Sequence, residues 1–417
     1  MISYNKSKTI LKKSLINLGE EHIETSKCLN RVTSKNIYVQ SYYPSGNNAA
    51  FDGYALKSSE TYKLNKKIYQ KFKIIGSIAA GNKPIKKKIK KFETVEIMTG
   101  ALIPRSFDTI IPIEQINFYP NKKNAKYILL NKKITKFEHV RFKGSDYKKG
   151  DLLISKGTIL QSSHILALKT LGIKKVKVKI KPNILFFSTG NEITNKSKIL
   201  DWEVRNSNCN YINSLNQNFL FNFKNGGILR DNQSNLFKSH ISKMLKSKID
   251  LIITSGAVSA GKYDFVPSAV RNFQLSNYFK SVAIRPGKPI LFAKIKGKPK
   301  AVFGLPGNPI SSAACFRFFV YPYIRSLLGI KEEISFKARL RNEFRKKNDF
   351  TRFVKSKLST TKNGKLEVEI LKGQESFRIK SFIQSNIWVM LPSGKERFKK
   401  GETVDCFFPN QPNNNFL

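Results

Sequence analysis

Acidic residues are scarce in this chain, with 28 Asp and Glu set against 76 Lys and Arg, so any carboxylate in a loop stands out as a candidate for chemistry. Histidine is scarcer still. The four present, His22, His139, His164 and His240, form no H-E-x-x-H or other paired spacing, which argues against an imidazole-based zinc site and leaves no oriented imidazole base. The four cysteines, Cys28, Cys209, Cys315 and Cys406, lie far apart with no C-x-x-C pair, which argues against a disulfide framework and a structural zinc. No apolar run approaches the ~20 residues that cross a bilayer. The opening "MISYNKSKTILKKSLINLG" has no continuous apolar core or small-residue cleavage site, so it reads as an amphipathic helix and not a signal peptide. A soluble, cytoplasmic protein without a membrane partner is expected.

What the chain has in excess is positive charge, formally +48 over 417 residues. Taken alone this favours nucleic acid, through release of counterions from phosphates. Lysine, however, is spread through every segment, and Asn and Ile are inflated with it, as mutational drift toward AT-rich codons produces. A field that is basic everywhere attracts anions without specifying one, so no specific nucleic-acid partner is expected. Apolar residues make up 40% and charged residues 25%, an ordinary globular composition. Single cores stop growing near ~250–300 residues, so several domains are expected.

The pattern changes along the chain. An N-terminal helix and a strand, "NIYVQSYYP", precede short β-like runs from "FDGYAL" to about Phe137, broken by Gly, Pro and Asn. Helical spacing returns in "SSHILALKTLGI". From about Val176, continuous apolar strands alternate with helical stretches, among them "NSNCNYINSLNQNFLFNF" read as one helix, which predicts a parallel sheet covered on both faces. The last ninety or so residues alternate as strands, with Asn363–Gly364 as a hairpin turn, before a polar tail, "NQPNNNF". The fold class is thus multidomain α/β and β. It comprises an N-terminal mixed domain (1–43 with 138–175), an inserted β-rich domain (44–137), a central doubly wound α/β domain (176–326) and a C-terminal small antiparallel β-domain (327–417).

Ligands of an open α/β sheet sit beyond the carboxyl ends of its strands. Three glycine loops fall there: "STGNE" with Ser188, Gly190 and Glu192; "TSGAVSAGKYD" with Ser255, Gly256, Ser259, Gly261 and Asp264; and "GLPGNP" with Pro306 and Pro309. Each turn needs glycine for steric reasons alone, but three in one domain favour a phosphate or another oxyanion. Glu192, Asp264 and Asp231, the last following "GGILR", suit a hydrated Mg²⁺ shared with substrate phosphates, although each also suits a helix N-cap. "IRPGKP" adds Arg285 and Lys288 as fixed cations. In "FGLPGNPISS" the two prolines restrict the backbone, so that the N–H groups at Ile310–Ser312 face one small oxyanion.

With these loops in order, the sequence resembles the molybdopterin molybdenumtransferase family, MoeA in bacteria and the C-terminal part of gephyrin in animals. "NNAAFDGYAL", "VEIMTGALIP", "VRFKGSDYKKGD", "STGNEI", "VRNSN", "TSGAVSAGKYDF", "RPGKP" and "GLPGNPISS" follow the family's motifs in one register. The resemblance implies an elongated homodimer of four-domain subunits, each ending in a small β-barrel domain (327–417), with an active site that joins the α/β domain of one subunit to the inserted domain of the other. It implies a reaction in which adenylylated molybdopterin and molybdate give molybdenum cofactor and AMP, with Mg²⁺. Asp52, Asp146, Glu192, Asp231 and Asp264 would hold metal or act at the phosphoanhydride, Thr99 would sit with Asp52, and Arg141 would contact substrate. Lys288, Pro306 and Pro309 would shape the molybdate pocket, with Ser381 as its serine. Ser281 stands where the family often has lysine, and Phe350 where its pocket arginine is expected, with Arg352 nearby. A molybdopterin adenylyltransferase, the enzyme that would supply the substrate, and a non-enzymatic scaffold are the alternative functions. The former is a lone short domain, and the latter would not need five carboxylates.

Overall fold

The computed structural model describes residues 1–85, 88–216, 220–259, 261 and 263–409. Ala260 and Lys262 of the second glycine loop, Lys86 and Lys87 of a basic run, residues 217–219 of "NSNCNYINSLNQNFLFNF" and the polar tail from 410 lie outside the described residues. The chain forms two compact units, one of residues 36–154 with 167–173 and one of residues 1–35, 155–166 and 174–417.

The smaller unit is built on a six-stranded sheet. In spatial order its strands are Thr109–Pro112, Gly53–Leu56, Glu93–Ile97, Gln70–Ile78, Tyr127–Leu130 and Asn117–Tyr119. Side chains alternate between two apolar clusters, Ala55, Val95, Ile97 and Ile110 on one and Tyr54, Leu56, Phe72 and Ile111 on the other, as the two-residue strand period requires. Gly53 is dictated by close approach, since a Cβ there would fall on the Ile111 carbonyl oxygen.

The larger unit holds the α/β sheet, ordered Asn222–Leu229, Asn183–Thr189, Leu251–Ser255, Ala301–Leu305, Leu291–Ile295 and Leu275–Lys280. Ile184, Phe186, Leu251 and Ile253 pack on one face, and Phe187, Ile252 and Val302 on the other, so both faces are buried as expected. The sheet is mixed, however. Its first four strands are parallel, but Leu291–Ile295 runs antiparallel to Ala301–Leu305 and Leu275–Lys280 antiparallel to it. The Lys296–Lys300 turn is too short for the crossover that a parallel pair needs. The stretch read as one helix divides into the helix Ser207–Leu215 and the edge strand Asn222–Leu229. Leu275–Lys280, the opposite edge, has the same half-exposed pattern, which is why it does not show as an apolar run and why only "GGILRD" marks the end of the first.

Beyond the helical segment from Pro309 to Leu327, which widens into a π turn at Phe316–Val320, five strands close into a barrel. Phe336–Leu340, Thr351–Thr360, Leu366–Ile370, Ile387–Leu391 and Thr403–Phe407 each pair with two others. Gly364, at φ +73°, turns the hairpin between Thr360 and Leu366. The Phe318 and Phe353 rings stack at 3.9 Å, joining the helical segment to the barrel.

Candidate active site

Register brings the three glycine loops together. Ser188 lies opposite Ser255, and Ser255 opposite Leu305, so three parallel strands end at one level. Beyond them opens a cleft of about 500 Å³ lined by Ser188, Gly190, Glu192, Asp231, Ser255, Gly256, Ser259, Asp264, Pro306 and Pro309. Gly256, at φ +103°, is required here, since a Cβ would stand 2.5 Å from Thr189 Oγ1 and 2.6 Å from the Thr189 carbonyl oxygen.

The loops are braced by polar side chains that the sequence did not single out. Asn208 Nδ2 donates to Ser255 Oγ and to the Gly307 carbonyl, both at 2.7 Å, tying the second loop to the third. Ser188 Oγ donates to Asn206 Oδ1 at 2.5 Å. Arg230 Nη1 donates to the carbonyls of Gly190 (3.2 Å), Asn191 (2.8 Å) and Ile193 (3.0 Å), which fixes the turn that carries Glu192. "VRNSN" and "ILRD" were the available signals.

Several backbone donors expected to meet an anion are engaged elsewhere. Gly190 N–H donates to the Leu229 carbonyl, Gly256 N–H to Leu305, and Gly261 N–H to Asp264 Oδ2 at 2.8 Å. At the start of the Pro309 helix, Ile310 N–H donates to the Ser376 carbonyl and Ser312 N–H to Asn308, so the open anion cradle expected at Ile310–Ser312 is largely closed. Helix capping does not account for the carboxylates. Gln233 precedes the helix Ser234–Leu245 and Phe265 precedes Val266–Arg271, while Glu192 leads into the strand Ile193–Thr194. Glu192, Asp231 and Asp264 share the cleft without converging; among the described residues no three His, Cys, Asp or Glu side chains form a ready metal cage.

A second cleft of about 580 Å³ adjoins the first and shares Pro289, Pro306 and Asn308 with it. Its cations are Arg285, Lys288 and Arg352. Arg285 and Arg352 are register partners on adjacent strands, and burial followed by the Arg285 charge lowers the Arg352 pKa, opposed by Glu375. Phe350 also lines this cleft, with its ring 5.9 Å from the Arg285 guanidinium, and Arg352, two residues on, lines it as well. Ser281, which stands where the family often has lysine, does not line it, and neither does the adjacent Lys280. Ser381 is placed differently from the sequence expectation: its buried hydroxyl donates to the Gly373 carbonyl at 2.6 Å, and the serines on the cleft wall are Ser311, from the Pro309 helix, and Ser376. The signal missed was the adjoining "GQES" turn.

Asp52, Thr99, Arg141 and Asp146 belong to the smaller unit. Thr99 does meet Asp52, donating to Asp52 Oδ1 from its N–H at 2.6 Å and its hydroxyl at 2.7 Å, and these bonds lower the Asp52 pKa. Arg141 pairs in the strand Val140–Arg141 with Asn48–Ala49, and Asp146 is exposed on a turn.

Three family models tile the chain: the MoeA N-terminal region (domains I and II) over residues 2–172, a probable molybdopterin-binding domain over 186–326, and the MoeA C-terminal region (domain IV) over 337–407. The molybdopterin molybdenumtransferase of Staphylococcus aureus is 31% identical over 388 residues, covering 92% of this chain and 90% of the relative. Its counterpart in Staphylococcus epidermidis is 30% identical, covering 95% and 94%. A solved molybdopterin biosynthesis MoeA protein from Pyrococcus horikoshii superposes with a TM-score of 0.82 at 28% identity, covering 99% of this chain and all of that one.

Proposed function

Because the chain belongs to the molybdopterin molybdenumtransferase (MoeA) family, we propose that its two adjoining clefts divide one reaction, the transfer of molybdate into adenylylated molybdopterin with release of AMP and molybdenum cofactor. The observation that carries this reading is the contrast between the clefts across their shared Pro306–Asn308 wall. One has glycine loops and carboxylates, and the other has three cations and no metal-type ligand set other than Glu375.

In the first cleft the loops seat the nucleotide and its phosphoanhydride, as glycine turns at strand ends do. Glu192, Asp231 and Asp264 fit a hydrated Mg²⁺, because that ion takes one or two carboxylates and completes its octahedron with water and substrate phosphate oxygens, so no converged cage is needed. When bound, it neutralises charge at the anhydride. Arg230 holds Glu192 in place through the loop backbone. In the second cleft Arg285, Lys288 and Arg352 hold the molybdate dianion, and Ser376 presents a hydroxyl to it. Asp52, on the smaller unit and held in its ionised form by two hydrogen bonds from Thr99, keeps the acidic role that the family resemblance gives it.

The test supplies purified protein with adenylylated molybdopterin, Mg²⁺ and molybdate and follows AMP and active cofactor. AMP release without cofactor, or no AMP release, rejects the reading. Asp52→Ala should reduce turnover at least tenfold, on the scale of a lost general acid–base or electrostatic group, with a far smaller effect on thermal unfolding from the two lost Thr99 hydrogen bonds. The same reading carries a cytoplasmic homodimer that receives its substrate from a molybdopterin adenylyltransferase, and sedimentation of the purified chain checks the dimer.

A further inference from the structure

The strand Thr351–Thr360 runs from the oxyanion cleft into the barrel, and three residues after Arg352 it carries a lysine in the core. Lys355 is 1% exposed and is paired with Trp388 on the neighbouring strand. Its Nζ donates to the carbonyls of Gly373 (2.7 Å), Glu375 (3.2 Å) and Arg378 (3.1 Å), so three ammonium protons meet three acceptors. The backbone adds a second clamp. Lys355 N–H donates to Gln374 Oε1 at 3.0 Å, and Gln374 Nε2 donates to the Lys355 carbonyl at 2.8 Å.

The turn so held forms one wall of the second cleft, through Gln374, Glu375, Ser376 and Phe377. On its other side it is tied to the third glycine loop: Asn308 Nδ2 donates to Ser376 Oγ at 3.0 Å, and Ile310 N–H to the Ser376 carbonyl. In a planar trans peptide the carbonyl and the following N–H point in opposite directions. Drawing the Gly373 and Glu375 carbonyls onto Lys355 therefore turns the Gln374 and Ser376 N–H groups away from it, on residues that line the cleft.

We infer that Lys355 is a positioning residue for oxyanion binding, setting the 373–378 turn so that Ser376 lines the cleft that holds Arg352. This rests on the molybdate reading of the second cleft. A buried lysine on carbonyls need not have such a role. Lys300 is also buried, donating to the carbonyls of Ser247 at 2.9 Å and Ile249 at 2.5 Å, but neither acceptor lies on a cleft wall. What distinguishes Lys355 is that the segment it holds is itself the wall.

The experiment compares wild-type protein with Lys355→Met, measuring equilibrium dialysis of molybdate alone, the KM values for molybdate and adenylylated molybdopterin, kcat for AMP release, and thermal unfolding. The expected result is a molybdate KM and dissociation constant raised about ten- to a hundredfold, the scale of a misplaced binding group, with the KM for adenylylated molybdopterin and kcat at saturating molybdate unchanged within about twofold. A folded Lys355→Met protein with wild-type molybdate affinity overturns the inference and leaves the lysine a stability pin. If that variant does not fold, Gln374→Ala, which releases the second clamp, must show the same selective rise in molybdate KM, and an unchanged value overturns the inference. Wild-type protein that binds no molybdate overturns the functional reading and this inference with it, whereas wild-type binding with an unaffected variant overturns the inference alone.

Discussion

The glycine loops depend on single atoms at Gly256 and Arg230. Gly256→Ala places a methyl group against the Thr189 backbone at a φ that side chains rarely adopt, so it should cost about 1–3 kcal/mol in urea unfolding and also impair AMP release. Arg230→Met keeps the stem but removes one nitrogen that serves three carbonyls. It should lower kcat/KM for adenylylated molybdopterin about tenfold or more and leave molybdate dialysis unchanged, the reverse of the pattern expected for Lys355→Met. These residues also mark what a sequence reveals. Glu192, Asp231 and Asp264 were legible because acids are rare here and fall at strand ends. Arg230, Asn208 and Lys355 were not, because their partners, mostly main-chain carbonyls, are brought near only by the fold, and among 76 Lys and Arg neither Arg230 nor Lys355 stands out.

Two neighbouring glutamates anchor the helical elements in different ways. On the helix Tyr4–Lys13, Lys8 and Lys12 lie one turn apart and both reach Glu332, at 2.8 and 2.7 Å. Those bonds lower the Glu332 pKa to about 2, so its contribution to stability is fully present above the ordinary carboxylate value and is lost as pH falls from about 4.5 toward 2. Glu332→Gln should flatten the slope of unfolding free energy over that window in a pH series, and the half-exposed, salt-screened pair should make the wild-type slope shallow. Glu333, by contrast, pairs at 2.5 Å with Arg317, 3% exposed in the π turn, whose Nε also donates to the Phe408 carbonyl at 2.7 Å. Glu333→Gln leaves that guanidinium buried without its counter-charge and should cost about 3–5 kcal/mol in denaturant unfolding. At this scale the central strands and the Asn363–Gly364 hairpin were legible from apolar runs and turn chemistry. Of the two edge strands of the α/β sheet, only the end of Asn222–Leu229, in "GGILRD", was legible, because an edge exposes half its side chains and loses much of the pattern that marks a strand.

Over the whole molecule, barrel closure shows a further limit of local pattern: pairing of Thr351–Thr360 with Ile387–Leu391 joins segments separated by a hairpin strand and a helix, and no turn signal encodes it. Net charge, in contrast, is fully legible, and its consequence follows from physics that ignores the fold. A formal +48 raises the local concentration of any anion, while the three cleft cations act on one anion at contact distance. Added salt screens the first effect over about 10 Å at 0.1 M and weakens the second much less. The KM values for molybdate and adenylylated molybdopterin should therefore both rise between 20 and about 300 mM NaCl, whereas kcat, set by groups already in contact with bound substrate, should hold nearly constant. Titration with duplex DNA should give a weak affinity whose salt slope does not grow with DNA length. A steep slope that lengthens with the duplex would instead require a continuous phosphate-binding face, since each neutralised phosphate adds its own released counterion. That outcome would make the lysine excess a feature selected for a polyanionic partner, whereas KM values that stay constant over the salt range would remove the field as an aid to substrate capture.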